Sequence, residues 1–309
     1  MGLMDRIRRL ERQSPEVDTY FGRRWFVDAK TGSNSNAGNK PDAPFLTMAK
    51  AFTVIDSGDV IVFRGKVREQ LDTPIGVHDV KIIGGANRPR HADDHTEDDN
   101  IRGSSSATWT APASGSTAIP LLRAIQQGWR IERVCFQLSG SATACVDAHK
   151  TDDAGDDERD GAHLELIGCK LQGTVGAAAG IGFRSNGSGF FGLYDNLFFG
   201  FATAFAKTGA AGGQVGWCEI AGNRFWDNTN GIVSPLYHSL VKGNYFGVHT
   251  KEIDLTGGAA NIVTENAFLG NYDASVAAAG DCWFNNYSLD TTSGEVDDTT
   301  GQTTSVPVA

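Results

Sequence analysis

Asn196-Leu197-Phe198, Asn223-Arg224-Phe225, Asn244-Tyr245-Phe246 and Asn266-Ala267-Phe268 repeat one pattern, which decays to Asn286-Tyr287-Ser288. The spacings are 27, 21, 22 and 20 residues. A period of about 22 residues means one supersecondary unit copied along an axis. Each unit reads as short apolar strands joined by tight polar turns. Val241 to Phe246 leads into a turn, then Ile253-Asp254-Leu255, Gly257-Gly258 and Ile262-Val263. Strands of about 3–5 residues punctuated by Gly, Asn and Asp fit β structure. No unit has room for a helix of ordinary length, and the Leu-x-x-Leu-x-Leu signature of leucine-rich repeats is missing. About 22 residues suffice for three short strands and three turns, which make one rung of a parallel β-helix, with rungs about 4.8 Å apart.

Stacked rungs place Asn196, Asn223, Asn244, Asn266 and Asn286 above one another as a structural ladder. A carboxamide donates and accepts, so it can bond both the turn backbone and its copies in adjacent rungs. The Phe two positions on is expected to point inward and stack. A turn preference of Asn alone does not explain a Phe at constant offset. Upstream, Leu166 to Leu171 has Cys169 at the Asn position and Leu171 at the Phe position. Arg133 to Leu138 is matched to that line, and Asp79 to Gly84 reads as an earlier rung. Val60 to Leu289 has room for about ten coils, a rod of about 50 Å.

Trp25-Phe26-Val27-Asp28-Ala29-Lys30-Thr31-Gly32-Ser33-Asn34-Ser35-Asn36-Ala37-Gly38 is similar to the opening of right-handed β-helix proteins of the pectate-lyase-like superfamily. Pro44 to Ala51 resembles their capping helix, and Gly58 to Phe63 their first rung strand. The resemblance covers most of residues 20–290 and carries no catalytic motif. Phage-encoded members of this group commonly start this way, which implies a bacteriophage context. The expected fold is therefore all-β, a single right-handed parallel β-helix solenoid with short N-terminal capping and docking helices. Residues 1–24 form a docking segment, 25–289 the β-helix and 290–309 a polar tail.

The 309 residues suit one elongated domain, because a solenoid grows along one axis. A net charge of −10 makes nucleic acid a poor partner for most of the surface. Cys135, Cys145, Cys169, Cys218 and Cys282 are odd in number and lack a Cys-x-x-Cys pair, so they read as buried thiols. No signal-peptide pattern and no membrane-length apolar run is present.

Residues 1–13 read as a short helix with Leu3, Ile7 and Leu10 on one face and Arg6, Arg8, Arg9 and Arg12 flanking it. So short a helix is marginal alone, which points to docking on a partner through Leu3, Ile7, Leu10, Arg6 and Arg9. Residues 1–24 hold six Arg against four acids, a local charge of +2, so the segment suits an acidic surface. Leu46, Ala49, Phe52 and Ile55 mark a second amphipathic stretch that plugs the first rung. Two acidic stretches, His91 to Asn100 and Thr151 to Asp160, match no calcium motif. They are read as solvated loops, with no metal and no cofactor expected.

Catalysis finds little support in the sequence. A glycosidase needs two carboxylates about 5–10 Å apart. Asp195 and Glu265 stand at equivalent places before a ladder Asn, but three rungs, about 14 Å, separate them. Asn228, His249 and Asn271 share an offset and form a polar stripe of the kind turns make by default. Trp217, Trp226 and Trp283 are the late tryptophans available as sugar platforms. The resulting expectation is a homotrimeric virion structural protein of a tailed bacteriophage, decorating or cementing the head. Its partner would be the major capsid protein or another virion protein, with no membrane contact. The alternative is a tailspike-like protein that binds or depolymerises host-surface polysaccharide.

Overall fold

The computed structural model describes residues 22–84, 107–115, 119–138, 142–150, 160–173, 180–208, 215–247, 250–269, 275–290 and 294–297. The chain winds as a right-handed parallel β-helix. The first sheet starts at Arg24–Asp28 and ends at Cys282–Phe284, with Glu165–Ile167, Gly192–Tyr194, Glu219–Ala221 and Leu240–Lys242 among its central strands. The second sheet contains Lys170–Gln172, Leu197–Phe199, Arg224–Trp226 and Tyr245–Gly247. A third sheet of seven strands runs from Leu71–Asp72 to Lys251–Asp254. Pairing between rungs is parallel, as Arg224↔Tyr245 and Phe225↔Phe246 illustrate.

The corner between the first and second sheets holds the asparagines. Asn223 is fully buried. Its Oδ1 accepts from the Asn196 backbone N–H at 2.9 Å and from Asn196 Nδ2 at 3.0 Å. Its Nδ2 donates to the Leu193 carbonyl at 2.8 Å and to Asn244 Oδ1 at 3.0 Å. Asn244 and Asn266 repeat this pattern, and Asn286 ends it. One residue before each, the backbone turns left-handed: φ is 54° at Asp195, 69° at Gly222, 62° at Gly243, 57° at Glu265 and 53° at Asn285. Asp195 and Glu265 are thus turn residues of this corner, and Glu265 lies 3.4 Å from Lys242.

Inside the corner the phenylalanines stack face to face. Phe198–Phe225 and Phe225–Phe246 centroids are 4.8 Å apart and Phe246–Phe268 are 5.0 Å apart, with planes within 12°. The separation equals the rung spacing, so the backbone sets the stack. Upstream, the strand pairing corrects the alignment read from sequence. Lys170 pairs with Cys135 and Leu171 with Phe136, so Val134 stands opposite Cys169 and the match of Arg133–Leu138 to Leu166–Leu171 is out of register by two residues. Lys81–Gly84 does form a rung strand, in the first sheet, with Ile82 opposite Ile131.

A single helical turn, Met48–Phe52, covers the first rung. Thr47 caps it, and Glu69 accepts from the Met48 and Ala49 N–H groups at 2.8 and 3.2 Å. The buried face is Met48, Ala51, Phe52 and Ile55, while Leu46 is 39% exposed. The expected apolar face was one residue out of phase at its start because Leu46 precedes the cap. At the other end Gly294–Asp297 pairs antiparallel with Tyr287–Asp290, folding part of the expected tail back onto the last rung. The docking residues Leu3, Ile7, Leu10, Arg6 and Arg9 lie outside the described residues.

One buried acid makes stability depend on pH. Burial raises the Glu252 pKa from 4.5 to about 8. Between those values the unfolded chain releases a proton that the folded chain keeps, so stability falls as pH rises, and it levels off above about 8. Glu252→Gln should flatten that segment of the curve, measured as the denaturation midpoint at pH 5, 7 and 9.

Candidate functional site on the outer face of the third sheet

Strand register brings side chains from distant sequence positions into one column. Asp72 pairs with Arg123, Arg123 with Asp147, and Asp147 with Arg184. The column alternates acid and base at each rung. Arg123 donates from Nε to Asp72 Oδ1 at 2.8 Å and from Nη2 to Oδ2. Hydrogen bonding to Asp72 raises the Arg123 pKa further, against the opposing effect of burial. Arg184 Nη2 donates to Asp147 Oδ2 at 2.6 Å, and its Nη1 to Thr143 Oγ1 at 3.3 Å.

Asp147 is the centre of the group. It is fully buried, and its Oδ1 has no hydrogen-bond partner among the described residues; Arg184 Nε is likewise unpaired. A buried ion pair with an idle acceptor and an idle donor is costly to keep. Two residues along the strand, His149 Nδ1 sits 3.5 Å from Asp147 Oδ2 and 2.7 Å from Asn186 Nδ2. With the amide donating, the imidazole carries its proton on Nε2. Beyond His149, Asp160 accepts from Ser188 Oγ at 2.7 Å and lies 3.7 Å from Lys150.

This group offers a positioned imidazole for proton transfer, while both guanidiniums of the column are engaged by carboxylates. Among the described residues, no second carboxylate of this column is placed for a paired mechanism with Asp147. Asp72 lies two rungs from Asp147, about 10 Å at the strand spacing, and is tied to Arg123. The rest of the acidic stretch that contains Asp160 lies outside the described residues, as do His249, Asn271 and His91 to Asn100.

The other residues considered from sequence lie apart from this group. Asn228 Oδ1 accepts from the Phe201 N–H at 3.0 Å and its Nδ2 donates to the Phe198 carbonyl at 3.1 Å, so it braces a corner. Trp283 is 1% exposed. Trp226 lies over Gly247, where an added Cβ would meet the ring at 2.4 Å. Trp217 alone of the three is well exposed, at 63%. All five cysteines are free thiols, and burial pushes Cys169 and Cys218 up to about 12.

Sequence reasoning missed a second ladder, at the corner that enters the first sheet. The Cys218 N–H donates to Ser239 Oγ at 3.1 Å, the Ser239 N–H to Asn261 Oδ1 at 3.0 Å and the Asn261 N–H to Asp281 Oδ1 at 2.8 Å. Its spacings of 21, 22 and 20 residues repeat those of the asparagines, and that periodicity was the available signal.

No protein-family profile and no curated protein matches the chain. Among solved structures, XylC in complex with xylose is 12% identical, with a TM-score of 0.48 over 85% of this chain and 68% of that one. A pectin methylesterase in complex with a hexasaccharide is 8% identical, with a TM-score of 0.45 over 89% and 91% of the two chains. DFA-IIIase from Arthrobacter chlorophenolicus A6 in complex with GF2 is 16% identical, with a TM-score of 0.45 over 75% of this chain and 57% of that one. The chain thus spans little more than half the length of that enzyme. These neighbours are pectate-lyase-like parallel β-helix proteins, and what they share with this chain is the architecture of the right-handed parallel β-helix.

Proposed function

We propose that this protein is a structural component of a bacteriophage virion, a homotrimeric rod that decorates or cements the head by docking on the major capsid protein. The observation that supports it is how the buried polar side chains are used. Two hydrogen-bonded ladders join rung to rung, one of Asn196, Asn223, Asn244, Asn266 and Asn286, the other of Ser239, Asn261 and Asp281. A solenoid locked this way along two corners is stiff, as a rod on a particle surface requires. The Met48–Phe52 turn covers the first rung and the Gly294–Asp297 strand pairs with the last, which leaves the flanks and the segment before residue 22 for attachment.

Gold-label electron microscopy of purified parent particles, with an antibody to the rod, tests this. Label spread over heads is the expected result. Absence of label from every particle would sink the virion assignment and leave the fold untouched. Residues 1–13 are the proposed anchor, so their deletion should leave a folded rod that no longer binds particles.

A second reading, a tailspike-like protein acting on polysaccharide, is favoured by the Asp147, His149, Arg184 and Asn186 group. Label confined to the tail tip would favour it. Polysaccharide cleavage abolished by His149→Ala would then be the decisive assay.

A further inference from the structure

The corner entering the first sheet has a second peculiarity, which faces outward. Eight rungs place a left-handed residue there: Asp79, Gly128, His163, Phe190, Trp217, His238, Ala260 and Gly280, with φ from 49° to 75°. Asp79, Gly128, Phe190, Trp217, His238 and Ala260 make equivalent backbone bonds to the next rung, as in Trp217 N–H to the Tyr237 carbonyl and His238 N–H to the Ala259 carbonyl. The fold therefore demands left-handed backbone at this point. Gly meets that demand without strain, and Asp tolerates it. His is tolerated there as Asp is, but bulky Phe and Trp are poorly suited. Yet four consecutive central rungs carry His163, Phe190, Trp217 and His238.

Internal packing does not account for this choice. Phe190 is 50% exposed and Trp217 63% exposed. Two pairs stack along the rod, His163–Phe190 at 5.3 Å and Trp217–His238 at 5.0 Å, with planes 29° and 28° apart. The result is an aromatic strip three rung steps long, about 14 Å. Two residues further along the same rungs stand Glu165 and Glu219, half-buried, at the start of their first-sheet strands. Glu219 accepts from the Tyr194 hydroxyl at 3.1 Å.

We infer that this strip is a binding site for a neutral polysaccharide lying along the rod axis. Pyranose rings present apolar C–H faces to aromatic rings and hydroxyl groups to carboxylates. The rung repeat of about 4.8 Å is close to the length of one sugar residue in an extended chain, so successive residues meet successive rungs. Glu165 is offset by Arg130 at 3.7 Å, whereas Glu219, on a chain of net charge −10, disfavours an anionic polymer. This site is separate from the Asp147 group, which lies on the third sheet, and it stands whether or not the rod is carried on a virion.

The test is native affinity electrophoresis of the full chain through gels containing hydroxyethyl cellulose, dextran or mannan, with alginate as the anionic control. Retardation by at least one neutral polymer and none by alginate is expected. Trp217→Gly and Phe190→Gly should each weaken it about tenfold or more. Because glycine suits left-handed backbone, both variants should keep or raise the denaturation midpoint, which separates binding from a packing role. No retardation by any neutral polymer, or retardation unchanged in both variants, overturns the assignment. So does concentration-dependent self-association that Trp217→Gly abolishes, since that would give the strip to a second copy of the chain.

Discussion

Replacing Asn223 by alanine should destabilise the rod by about 4 kcal/mol, the sum expected for more than one buried polar group left unpaired. The side chain makes four hydrogen bonds, two at Oδ1 from Asn196 and two from Nδ2 to Leu193 and Asn244. Without it the Asn196 N–H, buried at the corner, loses its acceptor. Urea denaturation followed by circular dichroism measures the loss. Asn223→Asp is expected to be at least as damaging, since a carboxylate cannot donate to Leu193 or Asn244 and adds a buried charge. The same change at Asn286 should be much milder. There Oδ1 accepts from Asn266, and the one Nδ2 donation given up is to the Val263 carbonyl at 3.0 Å. The chain itself uses this rule: Asp281, an acceptor for both Asn261 nitrogens, ends the second ladder. Equal losses at Asn223 and Asn286 would show that hydrogen-bond direction along the ladder does not matter.

The second large effect is expected from Phe225→Ala, again about 4 kcal/mol, the usual range for deleting a buried Phe. Phe225 has a ring on each side, Phe198 and Phe246, both at 4.8 Å. The rungs are held at the backbone spacing, so neighbours cannot collapse along the axis to fill the void. Phe268 is stacked on Phe246 at 5.0 Å near the end of the rod, and Phe268→Ala should be less damaging. Phe225→Leu should recover part of the loss and leave about 1–3 kcal/mol from two ring contacts. A Leu variant as unstable as the Ala variant would mean that ring stacking, rather than volume, dominates this column.

What the sequence displayed and what it hid follow from how a rung is built. The Asn and Phe columns were legible because one residue type recurs at one offset over short, regular coils. The second ladder has the same spacing but a different residue in each rung, Cys218, Ser239, Asn261 and Asp281, so no letter repeats. Equivalent chemistry here comes from any side chain that can accept one N–H. The aromatic strip was hidden in the same way, behind His, Phe, Trp and His. The third-sheet column was out of reach for another reason. Asp72, Arg123, Asp147 and Arg184 are separated by 51, 24 and 37 residues, because the upstream coils carry insertions of unequal length. Only backbone pairing restores their register. The shift at Cys135 has the same origin: 35 residues, rather than a regular coil, connect it to Lys170.

Both ladders run in one direction, each member accepting from the rung before it. The first member need not accept, and in each case it is a cysteine, Cys169 donating its N–H to Asn196 and Cys218 to Ser239. Their thiols bond neighbouring carbonyls and ionise only near pH 12 while shielded. A thiol reagent therefore reaches them only when the corner opens. The rod thus carries two built-in clocks, one at the head of each ladder, whose labelling rates report how often each seam unzips while the rest of the solenoid stays wound.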